Sequence, residues 1–96
     1  MKENAIRKKF KEICEERKWA CWMPARVKFY ENDIFGIADA VVSTPQGLKL
    51  IQLTTLSNIS ARKKKINNVL EKKKISCVIE VWGIRKDKTF RIVRIY

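Results

Sequence analysis

Three polar residues lie within two apolar stretches near the middle of this 96-residue chain. Asp39 interrupts the apolar stretch at residues 34–43, and Gln52 and Thr54 belong to the next one, at residues 48–54. Both stretches have the composition of β-strands, and the Thr-Pro-Gln-Gly sequence between them predicts a hairpin turn. Because side chains alternate along a strand, Gln52 and Thr54 point to one face, across the hairpin from the strand that bears Asp39.

This set of side chains indicates one of two kinds of site. A buried carboxylate is costly unless a cation or hydrogen-bond donors compensate it. Carboxylate, amide and hydroxyl oxygens are ligands that Mg²⁺ accepts while it keeps several waters, and such an ion can activate water for attack on a phosphodiester. The sequence therefore predicts a Mg²⁺ or Mn²⁺ site at Asp39 and Gln52, with Asp33 as a further ligand. The alternative is a structural cluster in which Asp39 accepts hydrogen bonds from backbone N–H groups while Gln52 and Thr54 bond across strands.

The chain is strongly basic, with 22 Lys and Arg against 10 Asp and Glu and a formal net charge of +12. Its cations are concentrated in two segments, and a basic surface attracts phosphate largely by counterion release, independently of sequence. Two solvated helix faces are the simpler interpretation, and an anionic membrane surface fits less well because the basic segments carry little interfacial apolar character. We predict a nucleic-acid-binding surface made of Arg62, Lys63, Lys64, Lys65, Lys8, Lys9 and Lys11.

Several classes of function are excluded or disfavoured by composition. Histidine is absent, which excludes Ser-His-Asp and Cys-His catalysis and His-ligated zinc. Cys14, Cys21 and Cys77 show no CxxC spacing and are predicted to be reduced thiols, with a Cys14–Cys21 disulfide as the alternative. No apolar run approaches the roughly 18 residues of a membrane span, and no signal-peptide core follows the N-terminus. We expect a cytoplasmic protein that binds neither a membrane nor a small-molecule cofactor.

The hydrophobic pattern predicts a single α/β domain over residues 1–96. Apolar residues at helical spacing predict one helix over residues 4–18 and a second over residues 60–72. Five strands are predicted, at residues 21–28, 34–43, 48–54, 76–82 and 89–95. The order of elements is therefore α-β-β-β-α-β-β, a mixed sheet flanked by helices.

This order of elements resembles the restriction-endonuclease-like superfamily, the PD-(D/E)XK nucleases, in its minimal form. The resemblance also rests on Asp39 and on the string Leu50-Ile51-Gln52-Leu53-Thr54. The most similar shapes are archaeal Holliday-junction resolvases and small nucleases of the VRR-Nuc kind, and a phage and prokaryotic subgroup has a second strand that reads Q-x-T. The resemblance implies a restriction-endonuclease-like domain that hydrolyses phosphodiester bonds in DNA with Mg²⁺ or Mn²⁺, with branched or flapped DNA as candidate substrates.

The resemblance also assigns roles to residues. Asp39 matches the motif Asp, Gln52 the second acid and Thr54 the lysine, so these three form the implied catalytic site. Gln is a known substitute for the second acid, but the Thr54 hydroxyl cannot supply the positive charge of the lysine. Arg62 or Lys65, from the start of the second helix, is the candidate replacement.

Two other functions stay open at this point. A DNA-binding module on the same fold would keep the basic surface and lack cleavage. RNA binding would use Trp19, Trp22 and Phe29 to stack bases.

We also expect a homodimer, because nucleases that cut both strands need two sites and the final strand, at residues 91–96, is a candidate interface edge.

Overall fold

A computed structural model describes residues 3–24 and 33–95 of the chain. The helices are α1 (Glu3–Glu16) and α2 (Ile59–Lys72), and a short 3-10 turn (Leu56–Asn58) precedes α2. The strands are β1 (Ala20–Trp22), β2 (Ala40–Thr44), β3 (Gly47–Thr55), β4 (Val78–Ile84) and β5 (Phe90–Arg94). The α/β class, with one five-stranded mixed sheet and two helices, is confirmed.

The five strands lie in the sheet in the order in which they occur in the chain. All neighbours are antiparallel except β3 and β4, which are parallel and are connected by α2. Parallel strands are usually covered on both faces, and this is true of β4, where six of seven residues are buried. β3 and β4 therefore form the centre of the sheet.

The two helices cover opposite faces of the sheet. α1 packs its buried residues against one set of strand side chains, which includes Ile51, Leu53 and Trp82. α2 packs against the alternate set, which includes Leu50, Ile79 and Val81. Because side chains alternate along a strand, these two clusters lie on the two sides of the same sheet.

Gly83 allows the start of α2 to lie directly against β4. In the parallel ladder it is opposite Thr54. A Cβ at this position would be 2.5 Å from Ile59 Cδ1 and 3.2 Å from the Cα of Leu56, and a side chain would therefore push the helix away. The missing side chain brings the first turn of α2 to the end of β3 that carries Thr54.

The predicted strand over residues 34–43 is wrong for its first part, since β2 begins only at Ala40. Ile34 and Ala38 instead close a tight turn, in which the Ile37 N–H donates to Ile34 O at 3.0 Å. Phe35 and Gly36 both have positive φ, at 54° and 74°, a conformation that glycine adopts without strain. The chain therefore reverses direction just before Asp39.

The other predicted elements are present with shifted ends. β1 is shorter than the predicted strand at 21–28, and residues 25–28 lie outside the described part of the chain. α1 ends two residues before the predicted Lys18, which has a φ of 57°. Within residues 3–24 and 33–95, neither helix is long and apolar enough to cross a bilayer.

Candidate functional site

Asp39 and Gln52 are in direct contact on the α2 face of the sheet. The Asp39 N–H donates to Ile51 O at 2.8 Å, although Ile51 is the ladder partner of Ala40, so Asp39 lies at the irregular end of the β2–β3 pairing. Gln52 Nε2 then donates to Asp39 Oδ2 at 2.7 Å. The structure thus brings together the acid and the amide that the sequence singled out.

The Asp39 carboxylate also has a structural role. Its Oδ2 accepts a second hydrogen bond, from the Leu53 backbone N–H at 2.7 Å. Antiparallel pairing would normally offer this N–H a carbonyl of the neighbouring strand, but the turn at Ile34–Ala38 carries the chain away from β3 at this point. The carboxylate replaces the missing backbone acceptor, as the structural interpretation of Asp39 predicts.

Gln52 carries a buried side-chain acceptor at this site. Its side chain is 3% exposed, and among the residues that the structure describes its Oε1 has no hydrogen-bond partner. A buried acceptor without a donor costs about 1–3 kcal/mol. The amide nitrogen is held by Asp39, so the position of the amide oxygen is fixed. This oxygen can accept a hydrogen bond from a ligand or a water, or it can coordinate a cation.

Thr54 lies on the same face as Gln52, as predicted, and is 6% exposed. Lys49 lies on the opposite face, where its Nζ is 3.2 Å from Glu80 Oε2. Glu80 also accepts a hydrogen bond from Trp82 Nε1 at 3.1 Å. Lys49 therefore cannot supply a positive charge to the Asp39 site, and the buried Glu80 carboxylate lies on the opposite face from that site.

The predicted metal ligand Asp33 is paired with a predicted phosphate contact. Its Oδ2 is 3.7 Å from Lys65 Nζ, and both side chains are partly exposed, so the pair contributes little to stability. Arg62 precedes Lys65 by three residues and lies on the same side of α2, half-buried. Two cations from α2 thus lie on the face of the sheet that carries Asp39.

The donor set fits a hard divalent cation. It offers the Asp39 carboxylate, the Oε1 of Gln52 and the Thr54 hydroxyl, and Mg²⁺ is commonly bound through one or two carboxylates together with waters. The described residues contain no cluster of three or more Asp, Glu, Cys or His side chains. The site therefore has few charged ligands, and its three side chains, each at most 6% exposed, must open to admit water.

The two basic clusters lie on different sides of the molecule. Lys63 and Lys64 are exposed on α2, the helix that covers the face of the sheet carrying Gln52. Lys8 and Lys11 are exposed on α1, on the other face of the sheet, together with Lys9, which is 4.0 Å from Glu12. They do not form one continuous surface around Asp39.

The aromatic residues considered for base stacking are placed differently from one another. Trp19 is half-buried against Trp82, with ring centroids 6.3 Å apart, whereas Trp22 is 58% exposed on the edge strand β1. Phe29 lies outside the described residues. The structure therefore does not assemble these rings into one described stacking surface.

Comparison with known proteins adds no relative: no protein-family model matches the chain, and neither the curated proteins nor the solved structures give a significant match. The functional assignment therefore rests on the residues themselves.

Sequence reasoning missed two parts of this site. One is the Leu53 backbone N–H, which donates a hydrogen bond to Asp39. Every residue except proline has such a group, so the residue type at position 53 gives no signal of this contact. The other is the ion pair between Asp33 and Lys65, which joins residues 32 positions apart. Only the opposite charges of the two residues could have suggested it.

Proposed function

We propose that this protein is a metal-dependent DNA endonuclease of the PD-(D/E)XK type, with a restriction-endonuclease-like domain and Mg²⁺ or Mn²⁺ as cofactor. The observation that carries the proposal is the buried pair of Asp39 and Gln52, in which an acid is locked to an amide whose oxygen has no partner among the described residues. Branched or flapped DNA is the proposed substrate, and the proposed assembly is a cytoplasmic homodimer.

Each residue of the proposed site has a distinct task. Asp39 and Gln52 would hold the ion, with Asp33 as a further ligand once it separates from Lys65. The bound cation would polarise the scissile phosphate and lower the pKa of an attacking water. Arg62 and Lys65 would contact the phosphate and supply the positive charge that Thr54 lacks. Thr54 would contribute a hydroxyl to the water network.

A binding module without cleavage is the second candidate, and one observation favours it. Asp39 Oδ2 already accepts two N–H groups, from Gln52 and from Leu53, so the carboxylate has a sufficient structural reason to be there. Such a module would bind phosphate through α2 and would leave the Asp39 pair closed.

A cleavage assay with a position-54 series separates the two candidates. Wild-type protein is expected to cut at least one DNA among linear, single-stranded, flapped and four-way substrates with Mg²⁺ or Mn²⁺, and chelation should stop it. Thr54→Lys should raise the rate, because it restores the superfamily's cation, whereas Thr54→Met, of similar length but uncharged, should not. If wild type and Thr54→Lys both leave every substrate intact, the binding module replaces the nuclease.

DNA binding should depend steeply on salt and mainly on the α2 cluster. Replacing exposed Lys63 and Lys64 by Ala removes up to two phosphate contacts, which should flatten the log–log salt slope by about 0.9 for each contact on duplex DNA. The matched control replaces exposed Lys8 and Lys11, an equal charge change on the other face, and should alter the slope less. The slopes are measured by fluorescence-anisotropy titration at several salt concentrations. If the two double variants change the salt slope equally, a DNA surface centred on α2 is contradicted.

A further inference from the structure

The end of α1 reverses the chain so that two cysteines meet. The Lys18 N–H donates to Glu15 O at 3.1 Å, and the Trp19 N–H donates to Cys14 O at 2.9 Å. With Lys18 at φ 57°, these bonds form the Schellman motif that ends many helices, here with a lysine instead of the usual glycine. The chain then returns along α1 as β1, which carries Cys21.

The two cysteines lie on the same face of the sheet, because Cys21 is opposite Val42 in the β1–β2 ladder and Val42 belongs to the same core cluster as Cys14. Cys14 is 2% exposed on the inner side of α1, and Cys21 is exposed on the edge strand β1. Both line one open cleft of about 400 Å³, together with side chains that include Lys11 and Trp19. The cleft gives a small oxidant access to the outer thiol, and the inner thiol lies directly behind it.

From this geometry we infer that Cys14 and Cys21 form a redox-active pair that closes to an intramolecular disulfide joining α1 to the edge strand β1. The third cysteine, Cys77, is outside the pair, since its thiol donates to Leu48 O at 3.3 Å. The inference is independent of the proposed nuclease activity, because neither cysteine touches Asp39, Gln52 or Thr54 in the described contacts.

The two thiols are not equivalent as nucleophiles. Burial raises the pKa of the Cys14 thiol to about 12. Burial also raises the pKa of Cys21, but the hydrogen bond from Cys14 and the charges of Lys11 and Arg7 oppose that rise. Since the thiolate is the nucleophile, Cys21 attacks the oxidant first and Cys14 then resolves the product.

With a peroxide as oxidant the chemistry balances. Cys21 Sγ loses its proton and attacks one peroxide oxygen, the O–O bond breaks, and the released hydroxide takes that proton and leaves as water. Cys14 Sγ then attacks the sulfur of the Cys21 sulfenic acid, the S–S bond forms as the S–O bond breaks, and the second hydroxide takes the Cys14 proton. Two electrons pass from the two sulfurs to one peroxide, which leaves as two waters.

Peptide mapping of the full-length protein tests the pair directly. The reduced protein is treated with hydrogen peroxide, alkylated and digested with trypsin without reductant. Trypsin cuts after Arg17 and Lys18, between the two cysteines, so the peptides 12–17 and 19–26 stay joined only through a disulfide. The expected product is this joined pair, lighter by two hydrogen atoms than the sum of the separate peptides, with Cys77 alkylated.

Thermal unfolding provides the second readout. Closing a loop of this length should raise the melting temperature by about 10 °C, and reductant should reverse the rise. Cys77→Ser should keep the effect, and Cys21→Ser should lose it. The inference is overturned if peptides 12–17 and 19–26 remain separate and alkylated, if disulfides form only to Cys77 or between chains, or if oxidation leaves the melting temperature unchanged.

Discussion

Replacing Asp39 by Asn is expected to lower the rate of Mg²⁺-dependent DNA cleavage by more than about 100-fold, since even changes next to metal ligands cost 10–100-fold. The carboxylate supplies the negative charge of the proposed metal site, and the substitution removes that charge without changing the shape of the side chain. The amide oxygen of the substituted side chain keeps an acceptor for the N–H groups of Gln52 and Leu53, so the fold should survive.

The Asp39→Asn variant needs a control with the same chemical change elsewhere. Asp87 is suitable, because it is exposed in the β4–β5 turn and the described hydrogen bonds to its carboxylate come from Thr89 and not from Gln52 or Leu53. Asp87→Asn should leave cleavage unchanged, and both variants should bind DNA within about twofold of wild type, since affinity comes from the lysines. Undiminished cleavage by Asp39→Asn would show that Asp39 takes no part in the reaction.

The largest expected loss of stability is that of Trp82→Ala, at about 3–5 kcal/mol, against a total of roughly 5–15 kcal/mol for a domain of this size. Trp82 is 1% exposed, and its ring lies 5.1 Å from that of Phe10 and 5.4 Å from that of Phe90. Its Nε1 also donates to the buried Glu80, so removal of the ring leaves both a cavity and a weakened carboxylate environment.

Urea denaturation checks this value against two reference substitutions. Trp82→Phe keeps an aromatic ring and loses the hydrogen bond to Glu80, so it should cost clearly less than Trp82→Ala. Ile92 is opposite Trp82 in the β4–β5 ladder and is 44% exposed. Ile92→Ala should therefore lower the free energy of unfolding by only about 1 kcal/mol. A loss of less than about 1 kcal/mol for Trp82→Ala would mean that the core is not centred on this ring.

Alternation along β3 was sufficient to predict much of the candidate site. It placed Gln52 and Thr54 on one face, across the hairpin from the strand that bears Asp39, and the structure brings Gln52 and Asp39 into contact. The hairpin turn between β2 and β3 could also be predicted, because it depends on local hydrogen bonds such as the one that Thr44 Oγ1 donates to Gly47 O. In both cases the signal is local, since strand period and turn chemistry depend on neighbours in sequence.

The turn before Asp39 could not be predicted from the same rules. Residues 34–38 are apolar and β-branched, which favours a strand, yet Phe35 adopts a positive φ that non-glycine residues rarely take. The favourable free energy that offsets this conformation comes from the burial of Ile37 and Ala38 beneath α2. This contact joins segments that lie far apart in sequence. The Asp33–Lys65 ion pair and the burial of the Gln52 side-chain oxygen likewise arise only when these segments pack together.

Crystals soaked with Mn²⁺ test the metal site most directly, because anomalous scattering identifies the ion without relying on activity. The proposed function predicts an anomalous peak between the Asp39 carboxylate and the Gln52 amide oxygen in wild type, and no peak in crystals of Asp39→Asn. A wild-type map without such a peak, in which Gln52 Nε2 is still bonded to Asp39 Oδ2, would contradict the assignment of these residues as the metal site.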